Sequence, residues 1–263
     1  MKKITIREKS FNVSDNNLPF WDKVLNNKWE KDTFNIFDRF LNKDIVYFDI
    51  GAWIGPTVLY AAQLSKFAYA FEPDPVAFNI LKSNLDLNEN REWHKKVNLL
   101  NKAAGAENGY INIGSRSSGG DSLSSALFTD DATQWKVETI KITDFIDASN
   151  LKDERIFFKI DIEGGEYSLI PSMIETLSVK NNVLFLSFHP GIWFDSIIKN
   201  NRSFPGKISG WLKVIRAHFG ILRTLPFKYF YLQSGRKINS LNLLYYTLRL
   251  RSFSIIAVNE PWA

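Results

Sequence analysis

Short apolar runs and stretches of helical periodicity alternate along the chain. Runs at Ile45 to Asp49, Phe67 to Phe71, Val97 to Leu100, Ile156 to Ile162, Val183 to Phe188, Tyr229 to Leu232 and Ser252 to Val258 read as strands. Pro56 to Ser65, Pro75 to Leu87, the stretch after Gly165 up to Leu177, and Lys207 to Thr224 read as helices. Trp29 to Leu41 places its aromatic residues at helical spacing and predicts an amphipathic helix leading into the first strand. Asp74 and Pro75 form an N-cap and a first-turn proline. Strand–helix–strand units imply right-handed parallel crossovers. Gly109 to Ile113 and Val137 to Ile142 look like antiparallel strands around a Ser/Gly-rich insert, Gly114 to Ser125, which is either a lid or a plain surface loop. The inventory predicts an α/β fold: a seven-stranded, mostly parallel sheet with helices on both faces and an antiparallel edge hairpin. Residues 1–28 read as an N-terminal extension and 29–263 as one domain.

Composition narrows this picture. Of 263 residues, 45% are hydrophobic and 23% charged, which is ordinary for a globular protein and argues against disorder. There is no cysteine, so disulfides, zinc–thiolate sites and thiol nucleophiles are excluded. No eighteen-residue apolar stretch exists, and the basic N-terminus lacks the apolar core of a signal peptide. The expected location is the cytoplasm. A net charge of +5 conceals an asymmetry: residues 196–259 hold eleven Lys or Arg and no Asp or Glu. This basic segment is expected to face an anionic membrane surface or an acidic glycan, which would put the protein at the inner membrane face. No recognised nucleic-acid-binding module accompanies it, so nucleic acid is not expected as a partner.

The chemistry centres on Ile45 to Thr57, IVYFDIGAWIGPT, a strand, a glycine turn and the start of a helix. A dinucleotide fingerprint would carry a second glycine where Trp53 stands, and Pro56 removes an N–H where a phosphate would want one. The turn suits S-adenosylmethionine instead, with Asp49 supplying a carboxylate to the cationic amino-acid end and Gly51, Ala52 and Gly55 the close backbone. Glu72, at the end of the second strand with Pro73 after it, is placed to accept hydrogen bonds from a ribose diol, a role shared by nicotinamide and adenosylmethionine sites. Asn101, after the third strand, lies near where an adenine would sit.

Four blocks in one order, YFDIGAWIGPT, AFEPDP, FFKIDIEGGEYSLI and FLSFHP, resemble the FkbM-type methyltransferase family. They span residues 47–190. The resemblance implies a class I, Rossmann-like methyltransferase fold with the cofactor over the C-terminal strand edges, and O-methylation of a sugar or other small-molecule hydroxyl. Asp49, Gly51 and Gly55 match the cofactor loop and Glu72 the ribose-binding acid. Asp161, Glu163, Glu166 and His189 match the motifs at the next two strand ends.

Methyl transfer needs the acceptor oxygen held in line and its proton removed, so one base suffices. His189, with an ordinary pKa near 6.5, suits that role. Asp161, Glu163 and Glu166 are placed to orient the acceptor, or to hold a hard divalent cation, although such carboxylates also cap helices. No D/N-P-P-Y type motif is present, which argues against methylation of base amino groups. Two other readings stay open: an NAD-type oxidoreductase, and a silent binding module on the same fold. Finally, on a helical wheel of Trp211 to Leu225, Trp211, Leu212, Val214, Ile215, His218, Phe219, Ile221, Leu222 and Leu225 share one face, opposite Lys213, Arg216 and Arg223. The apolar face is expected to serve the core and the cations to face outward.

Overall fold

A computed structural model describes residues 1–115, 120, 125–127, 133–179 and 181–262. In chain order the elements are β1 (Lys2–Ile6), β2 (Lys9–Val13), α1 (Leu18–Leu25), α2 (Lys31–Phe40), β3 (Ile45–Ile50), α3 (Pro56–Ala61), β4 (Ala68–Phe71), α4 (Pro75–Asp86), a 3-10 turn at Glu92–Lys96, and β5 (Val97–Leu100). They continue with β6 (Ala103–Gly105), β7 (Gly109–Ser115), β8 (Thr133–Lys141), α5 (Ile142–Ala148), β9 (Arg155–Ile160), α6 (Glu166–Ser172), α7 (Ile174–Ser178) and β10 (Val183–Phe188). The last are α8 (Pro190–Ile198), α9 (Phe204–Thr224), β11 (Tyr229–Leu232), α10 (Ser240–Leu248) and β12 (Phe253–Val258).

Seven strands form the main sheet in the order β11-β12-β10-β9-β3-β4-β5. Neighbours from β10 to β5 are parallel, and β12 runs antiparallel to both β10 and β11. This is the expected mostly parallel α/β sheet with an antiparallel edge. Every residue of β3 is buried, as befits a central strand covered on both faces. Its alternation divides the core. Val46, Phe48 and Ile50 pack with α5, α6, α7, α9 and α10, whereas Ile45 and Tyr47 pack with α1, α2 and α3 on the other face. The strand order reverses between β3 and β9, and that switch point at the C-terminal strand ends is where ligands enter open α/β sheets.

Residues 1–28 form a hairpin and a helix sewn onto the domain. Asn84 of α4 and Asn88, just past its C-terminal end, accept hydrogen bonds from the backbone N–H groups of Ser14 (2.9 Å) and Asn12 (2.8 Å), respectively. Phe11 and Trp21 are fully buried there. Burial of a side chain such as Phe11 stabilises the contact by about 1.5–3 kcal/mol. The result is a wall beside the β3 turn.

Helix α9 is rotated relative to the wheel reading. Its buried positions are Gly206, Gly210, Val214, His218 and Ile221, while Leu212 is 48% exposed. The glycines explain the difference, because a Cβ on Gly210 would come within 2.7 Å of Ile198 Cγ2. The side without side chains makes the close approach, and part of the apolar arc is left facing outward.

Candidate active site

The turn after β3 holds its shape through two glycines and one tryptophan. Gly51 has φ +86°, and a Cβ there would lie 1.9 Å from the Asp161 carbonyl oxygen. Only glycine lets β3 and the end of β9 come so close. Trp53 adopts φ +48°, and its N–H donates to Glu72 Oε2 at 2.7 Å. Glu72 Oε1 accepts from the Asp74 N–H at 2.8 Å. Burial pushes the Glu72 carboxyl up to about 7, against the pull of those two N–H groups. Each Glu72 oxygen is thus anchored to backbone yet keeps a free lone pair. The Trp53 ring stands edge-on to Phe20, with centroids 4.5 Å apart, and its Nε1–H donates to the Gly120 carbonyl at 2.9 Å.

Two cavities meet at this turn. One, of about 370 Å³, is lined by apolar groups of Ile50, Phe71, Ala103, Ala104, Ile113 and Leu169, with Glu72 and Pro73 on its rim. The other, of about 550 Å³, is lined by Phe20, Trp29, Glu30, Ser187, His189, Gln233, Ser252 and Ser254 among others. Gly51, Trp53, Asp161 and Glu163 border both. Both volumes fall in the range of small-molecule sites. The first fits S-adenosylmethionine: an apolar slot for a base, a carboxylate for a ribose, and the carboxylates of Asp161 and Glu163 for the cationic end. Gly55, with φ +91°, caps α3 beneath the turn, and Ala52 backs the second cavity. Of the Gly114–Ser125 insert, residues 116–119 and 121–124 lie outside the described residues. Ser125 Oγ donates to the Glu163 carbonyl at 2.7 Å.

Asp49 does not face either cavity, which corrects its expected role as a direct ligand. It is fully buried, its Oδ2 accepts from Tyr47 (2.7 Å) and Thr57 (2.6 Å), and its Oδ1 faces Lys159 Nζ at 3.0 Å. Burial opposes the Lys159 charge, but Asp49, Asp161 and Glu30 outweigh it and raise the pKa. The carboxylate is spent on an internal cation and two hydroxyls. Asn101 is likewise occupied, its Nδ2 donating to the carbonyls of Glu72 (2.8 Å) and Pro73 (3.2 Å), so it braces the turn after β4 and does not line the cavity.

His189 sits at the end of β10 among three carboxylates. Nε2 lies 3.3 Å from Asp161 Oδ1 and 3.5 Å from Glu163 Oε1, and Nδ1 lies 3.5 Å from Glu166 Oε1. Burial opposes its charge, yet Glu166, Asp161 and Glu163 prevail and raise its pKa to about 9. At neutral pH it is an imidazolium. A ring that holds its proton at neutral pH weighs against the expected role of an ordinary histidine acting as general base. Glu166 is fully buried and accepts from the N–H groups of Gly164 (2.8 Å) and His189 (2.6 Å), so it braces the loop and lines neither cavity. Oxygen and nitrogen atoms of Asp161, Glu163 and His189 lie within 4.8 Å of one another, a spacing that could hold a cation. Part of their charge is offset within the protein, because Lys159 Nζ stands 3.8 Å from Asp161 Oδ2 and His189 Nε2 lies 3.3 Å from Asp161 Oδ1 and 3.5 Å from Glu163 Oε1.

Glu30 is the site residue that pattern reading missed. It precedes α2 with φ +37°, lines the second cavity, and accepts a hydrogen bond from Thr33 Oγ1 at 3.0 Å. The residue as a whole is exposed, but its carboxyl is turned toward the cavity, where desolvation and the charge of Asp161 push its pKa up to about 7, against Lys159 and Thr33. Nothing in WEKDTF marks it as chemical. Lys159 left a signal, since it is the one charge inside an otherwise apolar strand run, Ile156 to Ile160.

No curated protein matches the sequence. Among solved structures, a FkbM methyltransferase from Methylobacillus flagellatus KT aligns at 15% identity and TM-score 0.49, over 82% of this chain and 44% of its own. This chain therefore spans less than half of that protein. A precorrin-6y C5,15-methyltransferase from Geobacter metallireducens GS-15 aligns at 13% identity and TM-score 0.41, over 95% and 93% of the two chains. An O-methyltransferase from Bacillus cereus, in complex with SAH, aligns at 12% identity and TM-score 0.42, over 86% and 78%. Residues 49–229 match the family described as Methyltransferase FkbM domain, more than half of the sequence, and so the chain belongs to the FkbM methyltransferase family.

Proposed function

We propose that the protein transfers a methyl group from S-adenosylmethionine to a hydroxyl of a sugar or similar polyhydroxylated acceptor. The observation that carries this reading is the meeting of the two cavities across Gly51, Trp53, Asp161 and Glu163. When bound, the cofactor supplies an electrophilic methyl group. Glu72 accepts the ribose hydroxyls, and Asp161 and Glu163 face the cationic end. The second cavity supplies what a sugar needs: ring edges and faces from Phe20, Trp29 and Trp53, and hydrogen-bonding groups from Ser187, Ser252, Ser254 and Gln233.

Glu30 is the assigned proton acceptor. A base with a pKa near 7 is ionised often enough to take a hydroxyl proton at neutral pH and basic enough to pull it. His189 and Lys159 hold positive charge on the floor of the cavity, where they keep Asp161 and Glu163 in place. The test is transfer of labelled methyl from the cofactor to fractionated glycans, lipids and RNA. Label in a glycan hydroxyl supports the reading, and label confined to RNA or protein refutes the acceptor class.

A further inference from the structure

Helices α9 and α10 lie together on one face of the sheet, joined by a hydrogen bond between His218 Nδ1 and Thr247 Oγ1 at 2.7 Å. Each buries one side and leaves an apolar stripe on the other. On α9, Phe204, Ile208 and Leu212 are spaced four residues apart and are 77%, 47% and 48% exposed. On α10, Leu241, Tyr245 and Leu248 are 79%, 50% and 44% exposed. At 100° per residue, these stripes fall roughly opposite the buried Gly210 and Val214 of α9 and the buried Leu243 and Thr247 of α10. The α9 stripe therefore points away from α8, against which Gly210 and Val214 pack, and the α10 stripe away from the side that meets α9 and the core.

Cations frame them. Lys207, Lys213, Arg216, Arg223, Arg249 and Arg251 are exposed, and none forms an ion pair among the described residues. No acidic residue occurs between positions 196 and 259 to offset them. A second copy of the chain docking through the same surface would bring two such acid-free regions together, which like-charge repulsion opposes. Apolar stripes within a basic frame match an anionic bilayer, where side chains enter the headgroup boundary and each Lys or Arg near the surface adds about 1 kcal/mol.

We propose that the outward faces of α9 and α10 form a docking surface for an anionic lipid bilayer. The acceptor cavity lies next to it. The chain leaving α10 passes Leu250, whose carbonyl packs against Gly191 two residues after His189, and then supplies Ser252, Phe253 and Ser254 to the cavity wall. Docking would place the cavity beside a hydroxyl acceptor carried on a lipid, a consequence that rests on the methyltransferase reading, whereas the lipid contact itself does not.

The test is flotation of the full chain with vesicles of phosphatidylcholine alone and of phosphatidylcholine with about one-third phosphatidylglycerol, at low and high salt. Binding is expected to the anionic vesicles only, weakening with salt. It should fall at least about tenfold in Phe204→Ser/Ile208→Ser/Leu241→Ser and in Arg216→Glu/Arg249→Glu, each first shown to keep the wild-type melting temperature. Wild-type protein left at the bottom of the gradient with anionic vesicles at low salt would overturn the proposal. So would a dimer, seen by sedimentation velocity, that the three serine substitutions dissociate. Cofactor binding, followed separately with S-adenosylhomocysteine, tells failure of this surface apart from failure of the methyltransferase reading.

Discussion

Lys159→Met probes the buried charge pair under the glycine turn. In the wild type, Asp49 is fully buried and faces Lys159 Nζ at 3.0 Å, with the Tyr47 and Thr57 hydroxyls as its other partners. Methionine fills much of the lysine volume but leaves the carboxylate without a counter-ion. Breaking a buried pair by removing one member costs about 3–5 kcal/mol. For a chain of this length that lowers the melting temperature by about 10 °C. Asp49→Asn combined with Lys159→Met should recover most of the loss, to within about 1–2 kcal/mol of wild type. Urea unfolding followed by tryptophan fluorescence at pH 7.5 compares both variants with the wild type. A single-variant deficit below about 1 kcal/mol, or one the second substitution does not relieve, would refute the internal pairing. If Asp49 were a direct ligand after all, the double variant would be stable yet unable to bind S-adenosylhomocysteine.

Three further predictions follow from the same geometry. Gly51→Ala forces a Cβ to within 1.9 Å of the Asp161 carbonyl at a left-handed φ, so it should unfold far more easily, or abolish S-adenosylhomocysteine binding, as read by melting and calorimetry. Glu30→Gln should lower turnover by about a hundredfold and remove the rise in rate near pH 7, while cofactor affinity stays unchanged; a retained rise would place the proton elsewhere. His189 has a folded pKa raised to about 9, so the stability it contributes is complete below pH 6.5 and lost as pH rises through 9. Relative to His189→Gln, the wild type should lose up to about 3 kcal/mol across that window in denaturant titrations, and parallel curves would contradict the carboxylate cage.

Most of the sheet and the cofactor turn could be read from the chain because their signals are local. A run such as IVYFDI declares a buried strand, and Gly51, Trp53 and Glu72 fall within twenty-odd residues of one another. The acceptor side could not be read that way. Glu30 comes from a polar stretch whose place beside the second cavity appears only in the folded chain, where the end of the β1–β2 hairpin is tied to Asn84 and Asn88. Asp49 was legible as a strand-end acid, but its partner Lys159 lies 110 residues away, so its commitment to that ion pair was hidden. The pKa of His189 was misjudged for a similar reason, since Glu166, Asp161 and Glu163 surround it only in the folded chain. On α9, hydrophobicity marked an apolar arc, but Gly206 and Gly210, invisible to a hydrophobic wheel, decided which side was buried.

The central claim is that the cavity bounded by Gly51, Glu72 and Asp161 binds S-adenosylmethionine. Isothermal titration of the full chain with S-adenosylhomocysteine and, in parallel, with NAD tests it most directly, with Glu72→Gln as the control for the ribose contact. The account predicts saturable one-to-one binding of S-adenosylhomocysteine, weakened at least about tenfold in Glu72→Gln, and no heat from NAD. Binding of NAD with none of S-adenosylhomocysteine would contradict it.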